Sequence, residues 1–183
     1  MAYTIGITSP SGDGASTGDI ETCWVTVFTS GAAGTMVQGT VCFDAGTSAG
    51  TQARFVVFSD VAGEPTTLLA VSSAVSVPAG ASVTAFTLGG EAVAASTPYW
   101  IGIVSDTSGA AMNYTLGAGY KVRRATAFNF TSPPSTWPGS ASSYADVAES
   151  FALEIEDVVA GPTMGYLRPN RLRPRIFGPG IAR

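Results

Sequence analysis

The sequence predicts an all-β protein, an antiparallel β-sandwich of jelly-roll type with an extended C-terminal arm, and three observations carry that expectation. Short runs of β-branched and aromatic residues recur along the chain, each broken by Gly, Pro, Asp or Ser. Helical composition is missing: 12% of the residues are charged against 45% apolar, and 22 of the 183 are glycine. From Gly161 onward the composition changes to a basic segment with four prolines and four glycines. The expected division is therefore a sandwich domain over residues 1–160 and an arm over residues 161–183.

Taken in order, the candidate strands are residues 3–7, 22–29, 36–43, 53–59, 67–77 in one or two pieces, 82–88, 98–105, 111–116, 120–129 and 150–156. The last alternates cleanly, with Phe151, Leu153 and Ile155 on one face and Ala152, Glu154 and Glu156 on the other, as a half-buried closing strand does. Residues 22–28 are apolar on both faces, Cys23, Val25 and Val27 against Trp24, Thr26 and Phe28. That pattern fits a central strand covered on both sides, or a subunit contact, and core packing is the commoner outcome.

The connections read as turns. SDVAGEP at 59–65 and VPAGAS at 77–82 supply glycine for positive φ and proline for a fixed φ. Residues 131–146, TSPPSTWPGSASSYAD, are too polar and proline-rich for a strand and read as a long surface loop. The segment GPTMGYLRPNRLRPRIFGPGIAR cannot form a continuous helix or a central strand, so it is expected to extend and to order against a partner.

Charge separates along the chain. Residues 1–160 hold all 13 acidic residues against Arg54, Lys121, Arg123 and Arg124, a net of −9, whereas residues 161–183 carry +5. The arm arginines, Arg168, Arg171, Arg173, Arg175 and Arg183, alternate with Tyr166, Leu167, Leu172, Ile176 and Phe177. Apolar anchors between guanidinium groups suit a peptide lying in a protein groove and pairing with carboxylates, which favours protein docking over nucleic acid.

Little points to catalysis, and no enzyme activity is expected. There is no histidine and a single lysine, Lys121, which removes the commonest general base and most amine nucleophiles. A two-carboxylate glycosidase site needs only Asp or Glu, but Glu154, Glu156 and Asp157 read as a solvated strand end. Asp13, Asp19 and Glu21 lack the spacing of a calcium loop, and GDGASTG at 12–18 lacks the lysine of a phosphate loop. No cofactor is expected and no catalytic, cofactor or metal residue is assigned. Cys23 and Cys42 read as buried thiols rather than as a disulfide. No run of 18 apolar residues is present and MAYTIGITSPSGDG does not read as a signal peptide, so a soluble chain made in the cytoplasm, with no membrane partner, is expected.

Aromatic residues open one recognition option. Trp24 and Trp100 sit in strongly apolar strands and read as core. Trp137, with Tyr144 nearby in the proline-rich loop, is the candidate exposed contact, on which a sugar ring could stack, or else a side chain that folds back to pin its own loop.

Residues 55–106, FVVFSDVAGEPTTLLAVSSAVSVPAGASVTAFTLGGEAVAASTPYWIGIVSD, resemble a β-sandwich module of bacterial surface and phage structural proteins. The matching features are a strand ending in an aromatic and SD, a G-x-P turn, a PAG turn and a closing TPYWIG strand. With its acidic body and Arg/Pro arm, the chain resembles a bacteriophage virion structural protein, most nearly a head decoration, or cement, protein. The resemblance implies localisation in the virion, homo-oligomers that are often trimers, and an arm that binds the major capsid protein or neighbouring subunits. The alternative expectation is a carbohydrate-binding or host-adhesion domain of a tail or fibre.

Overall fold

A computed structural model describes residues 2–9, 13–17, 21–126 and 128–156. Among them there are thirteen strands and no helix. They are β1 (Ala2–Gly6), β2 (Gly14–Thr17), β3 (Cys23–Thr29), β4 (Gly34–Phe43), β5 (Gln52–Val61), β6 (Glu64–Val71) and β7 (Val75–Ser76). Then follow β8 (Ser82–Thr87), β9 (Ala92–Val93), β10 (Pro98–Ser105), β11 (Ala111–Ala125), β12 (Ser142–Glu149) and β13 (Phe151–Glu156). The all-β antiparallel fold is as the sequence predicts. The arm at 161–183, with every residue assigned to it from Tyr166 to Arg183, lies outside the described residues.

All strands join one antiparallel network ordered β1-β13-β4-β11-β3-β10-β5-β6, with β8 and β9 on β4, β2 and β12 on β11, and β7 on β5. The two halves of this path meet by one residue pair, Met112 opposite Phe43. There the sheet turns back on itself. Ile5, Met36, Phe43, Phe151, Leu153 and Ile155 from one half thereby pack with Phe55, Val57, Ile101, Ile103 and Val122 from the other in one buried cluster. The result is sandwich-like, with the inner faces closed on each other.

The outer face of the β3-β10-β5 group is also buried. Cys23, Val25, Val56, Phe58, Trp100 and Val104 form a second cluster with Phe128 and Phe130, and Trp137 packs against it. The chain after β11 crosses this face, held by hydrogen bonds from Trp137 N to Thr66 O (2.6 Å) and Leu68 N to Ser135 O (2.9 Å). Burial on both faces explains why β3 and β10 read as unbroken apolar runs. It decides the choice left by the sequence, since within one chain β3 is a central strand with both faces covered. Both cysteines are free and buried.

Three elements depart from the sequence reading. Residues 111–116 and 120–129, expected as two strands, are instead one strand over Ala111–Ala125, β11, whose continuity Gly117 and Gly119 had disguised, and residues 128 and 129 lie outside it. Residues 14–17, read as flexible loop, pair with β11 as β2. The loop expected over 131–146 ends early, because residues from Ser142 onward form β12 along the edge of β11.

Candidate functional site

β11 is flanked on one edge by β12 and on the other by β2 at its start and β3 at its end. Its pairing with β12 breaks between Leu116 and Lys121: Leu116 faces Val147 and Lys121 faces Ala145, so β11 bulges outward with Gly117–Tyr120 unmatched. Gly119, at φ 90°, and Asp146, at φ 59°, take up the turn, and Gly119 N donates to Asp146 Oδ1 at 2.9 Å.

Beside this bulge the strands part around a cavity of about 330 Å³. Its lining is Ser16 from β2, Trp24 from β3, Tyr114, Leu116 and Val122 from β11, and Tyr144, Val147 and Glu149 from β12. Trp24 and Tyr144 stack with 5.8 Å between centroids and 21° between planes. The Arg124 guanidinium lies over the Trp24 ring at 5.3 Å. Leu116 and Tyr144 are 58% and 41% exposed, so the cavity opens to solvent through an apolar rim.

Glu149 is the unusual member, a carboxyl that is 1% exposed. Ser16 Oγ lies 3.0 Å from each of its oxygens, and its backbone N donates to Thr26 Oγ1 at 3.1 Å. Burial raises its pKa to about 8, against the smaller lowering by the Ser16 hydrogen bond. At neutral pH the group is therefore largely a neutral acid, able to donate as well as accept. Trp24 adds a buried indole Nε1–H with no hydrogen-bond partner among the described residues. The residues that bound the cavity thus include a buried carboxyl and a buried unsatisfied donor among aromatic and aliphatic neighbours.

The structure separates the two aromatics that the sequence groups into one loop. Tyr144 lies in β12 at the rim of the cavity, whereas Trp137 is half-buried on the outer face, edge-on to Phe58 at 5.2 Å. Of the two options for Trp137, it adopts the one in which it folds back and pins its own segment; its Nε1 donates to Ser140 Oγ at 3.2 Å. Asp13 donates through its backbone N to Tyr114 O at 2.8 Å and accepts at Oδ2 from Leu116 N at 2.7 Å. Among the described residues no cluster of three or more Cys, Asp or Glu is placed to hold a metal ion, and Asp19 lies outside them.

No protein-family model matches this chain, and no curated protein does. Among the described residues no helix is long and apolar enough to cross a membrane.

Sequence reasoning missed the cavity. Glu149 sits where the expected loop gives way to the expected strand, and an acid there reads as solvated. The one available signal was its place two residues before the apolar run Phe151–Leu153, and Ala148 to Leu153 are all buried in the fold.

Proposed function

We propose that this chain is a non-enzymatic structural subunit of a bacteriophage virion, a capsid decoration or cement protein whose sandwich-like body sits on a repetitive surface while residues 161–183 bind neighbouring subunits. The observation that carries this reading is the charge division: −9 on residues 1–160 against +5 on residues 161–183, with the arginines set between apolar residues. Copies of such a chain attract one another body to arm, which favours a homo-oligomer or binding to an acidic capsid surface. The non-enzymatic part rests on the lack of histidine and on a cavity whose lining holds one carboxylate, where glycoside hydrolysis needs two.

Removal of residues 161–183 tests the reading. Loss of binding to the capsids of the encoding phage, with the body still folded, is the expected result. Unchanged affinity for those particles sinks it.

One observation favours a second reading, a carbohydrate-binding or adhesion domain of a tail or fibre: Tyr144 is 41% exposed at the mouth of an aromatic cavity. Glycan-array binding that disappears in Tyr144→Ala supports it, and a blank array removes it.

A further inference from the structure

We infer that the cavity between β2, β3, β11 and β12 is the receptor for the basic segment, taking an arginine side chain from residues 161–183 of a neighbouring copy. The inference rests on the assembly role proposed above, in that it treats this segment as the binding element, and it gives that element a place to bind.

Three features of the cavity match such an occupant. Glu149 is a buried carboxyl hydrogen-bonded by Ser16, and among the described residues no charged group accounts for its shift. Holding an acid there costs free energy unless something returns hydrogen bonds, and a guanidinium fits a carboxylate with two parallel N–H donors. Trp24 Nε1 is a buried donor that lacks an acceptor. A peptide backbone carries carbonyl oxygens and supplies that acceptor, which a simple cation does not. The walls, Tyr114, Leu116, Val122, Tyr144 and Val147, are aromatic and aliphatic, suited to an arginine stem and to the leucines beside Arg168, Arg171 and Arg173.

Charge and reach agree. Outside the lining, the surrounding strands carry two further carboxylates, Asp13 on Leu116 N and Asp146 on Gly119 N of the adjoining bulge, which add negative charge without entering the cavity. Arg124 and Tyr144 already lie against Trp24, so the incoming group is directed to Glu149 rather than to the indole face. That occupied indole face also disfavours a stacked sugar. From Glu156, where β13 ends, Arg168 is twelve residues on, a span of up to about 40 Å, enough to cross to an adjoining body.

The test uses the full chain and a full-length variant in which Arg168, Arg171, Arg173, Arg175 and Arg183 are all glutamine. The Trp24 indole N–H resonance, assigned by its loss in Trp24→Phe, is followed while a synthetic peptide of residues 161–183 is added to the arginine-free variant. Saturable displacement of that resonance is expected, together with a concentration-dependent shift of the same resonance in the native chain. Peptide affinity should fall at least about tenfold when the five arginines of the peptide are citrulline, and equally when the receptor carries Glu149→Gln. Leu116→Lys on the exposed rim should weaken binding and Leu116→Glu should not, which separates charge from loss of folding.

The inference is overturned by a Trp24 resonance that ignores the peptide, by a native-chain shift independent of concentration, or by displacement by neutral monosaccharides in place of the peptide. If removal of residues 161–183 abolishes particle binding while Glu149→Gln leaves it intact, the segment docks elsewhere. The receptor inference then falls and the assembly reading stands.

Discussion

Trp137 meets Phe58 edge-on, with 5.2 Å between ring centroids and 82° between planes. Phe58 is fully buried, and Trp137 is the lid that keeps solvent from it, with Phe128 at 5.9 Å completing the contact. Trp137→Ala should therefore destabilise the fold by about 2 kcal/mol, less than a fully buried tryptophan would cost. Urea midpoints measure this; a loss of ligand binding with unchanged stability would contradict the packing role.

Burial of Glu149 makes stability depend on pH. Its folded pKa, about 8, stands above the ordinary value of 4.5, so between these values the folded state holds a proton that the unfolded state has released. Stability should be unaffected by this group below pH 4.5, fall as pH rises from there, and level off above about 8. The full drop is on the order of a few kcal/mol. Glu149→Gln keeps the neutral shape and should flatten this slope, leaving the variant more stable than the native chain at pH 8. Unfolding free energies from pH 4 to 9 check it; parallel curves for the two proteins would refute the buried-acid account.

Trp100 is fully buried and its Nε1 donates to Asp60 Oδ1 at 2.7 Å. The other oxygen of Asp60 accepts from Gly63 N at 3.1 Å, tying the β5–β6 turn to the core. Asp60→Ala strands the indole donor and loosens the turn, an expected cost of about 2 kcal/mol. Asp60→Asn retains an acceptor and should recover most of it. Thermal unfolding of the pair distinguishes them, and equal losses would show that the carboxylate charge, not the hydrogen bond, matters.

Gly102 lies in β10, and a Cβ built there would fall on the Trp24 carbonyl oxygen and 2.8 Å from Val25 Cα. Backbone of a paired central strand cannot give way cheaply. Gly102→Ala should cost about 3 kcal/mol or more. Gly31, whose Cβ would meet nothing within 4 Å, is the control, with a change within about 0.5 kcal/mol. Denaturant titration of both variants reads the contrast; a Gly102→Ala protein as stable as native would disprove the close approach.

The strands that the sequence revealed are those whose side chains are buried. β3, β5, β10 and β13 carry Val, Ile, Phe and Trp in runs that only a covered or half-covered sheet accommodates. β2, with the sequence GAST, and β12, with SSYADVAE, were hidden because they stabilise the sheet through backbone pairing rather than apolar burial. Their residues carry the composition of loops. The cavity went unseen for the same reason, since half its wall comes from those two strands and its carboxyl becomes buried only when they pair with β11. Tyr144, grouped by the sequence with Trp137 in one loop, lies in β12 and stacks on Trp24 instead, and no spacing in the chain announces that pairing.

The two clusters on opposite faces of β3 and β10 give the protein a pair of internal optical gauges. Trp24 belongs to the cluster between the sheet halves, while Trp100, on the adjacent strand, belongs to the cluster beneath the 128–137 crossing. A chain keeping one of them and bearing phenylalanine at the other two tryptophan positions reports by fluorescence on one side of the same strands. If the crossing segment peels away before the sandwich opens, the Trp100 signal changes at lower denaturant than the Trp24 signal. Coincident transitions instead mean that the outer layer is as much a part of the cooperative unit as the sheets themselves.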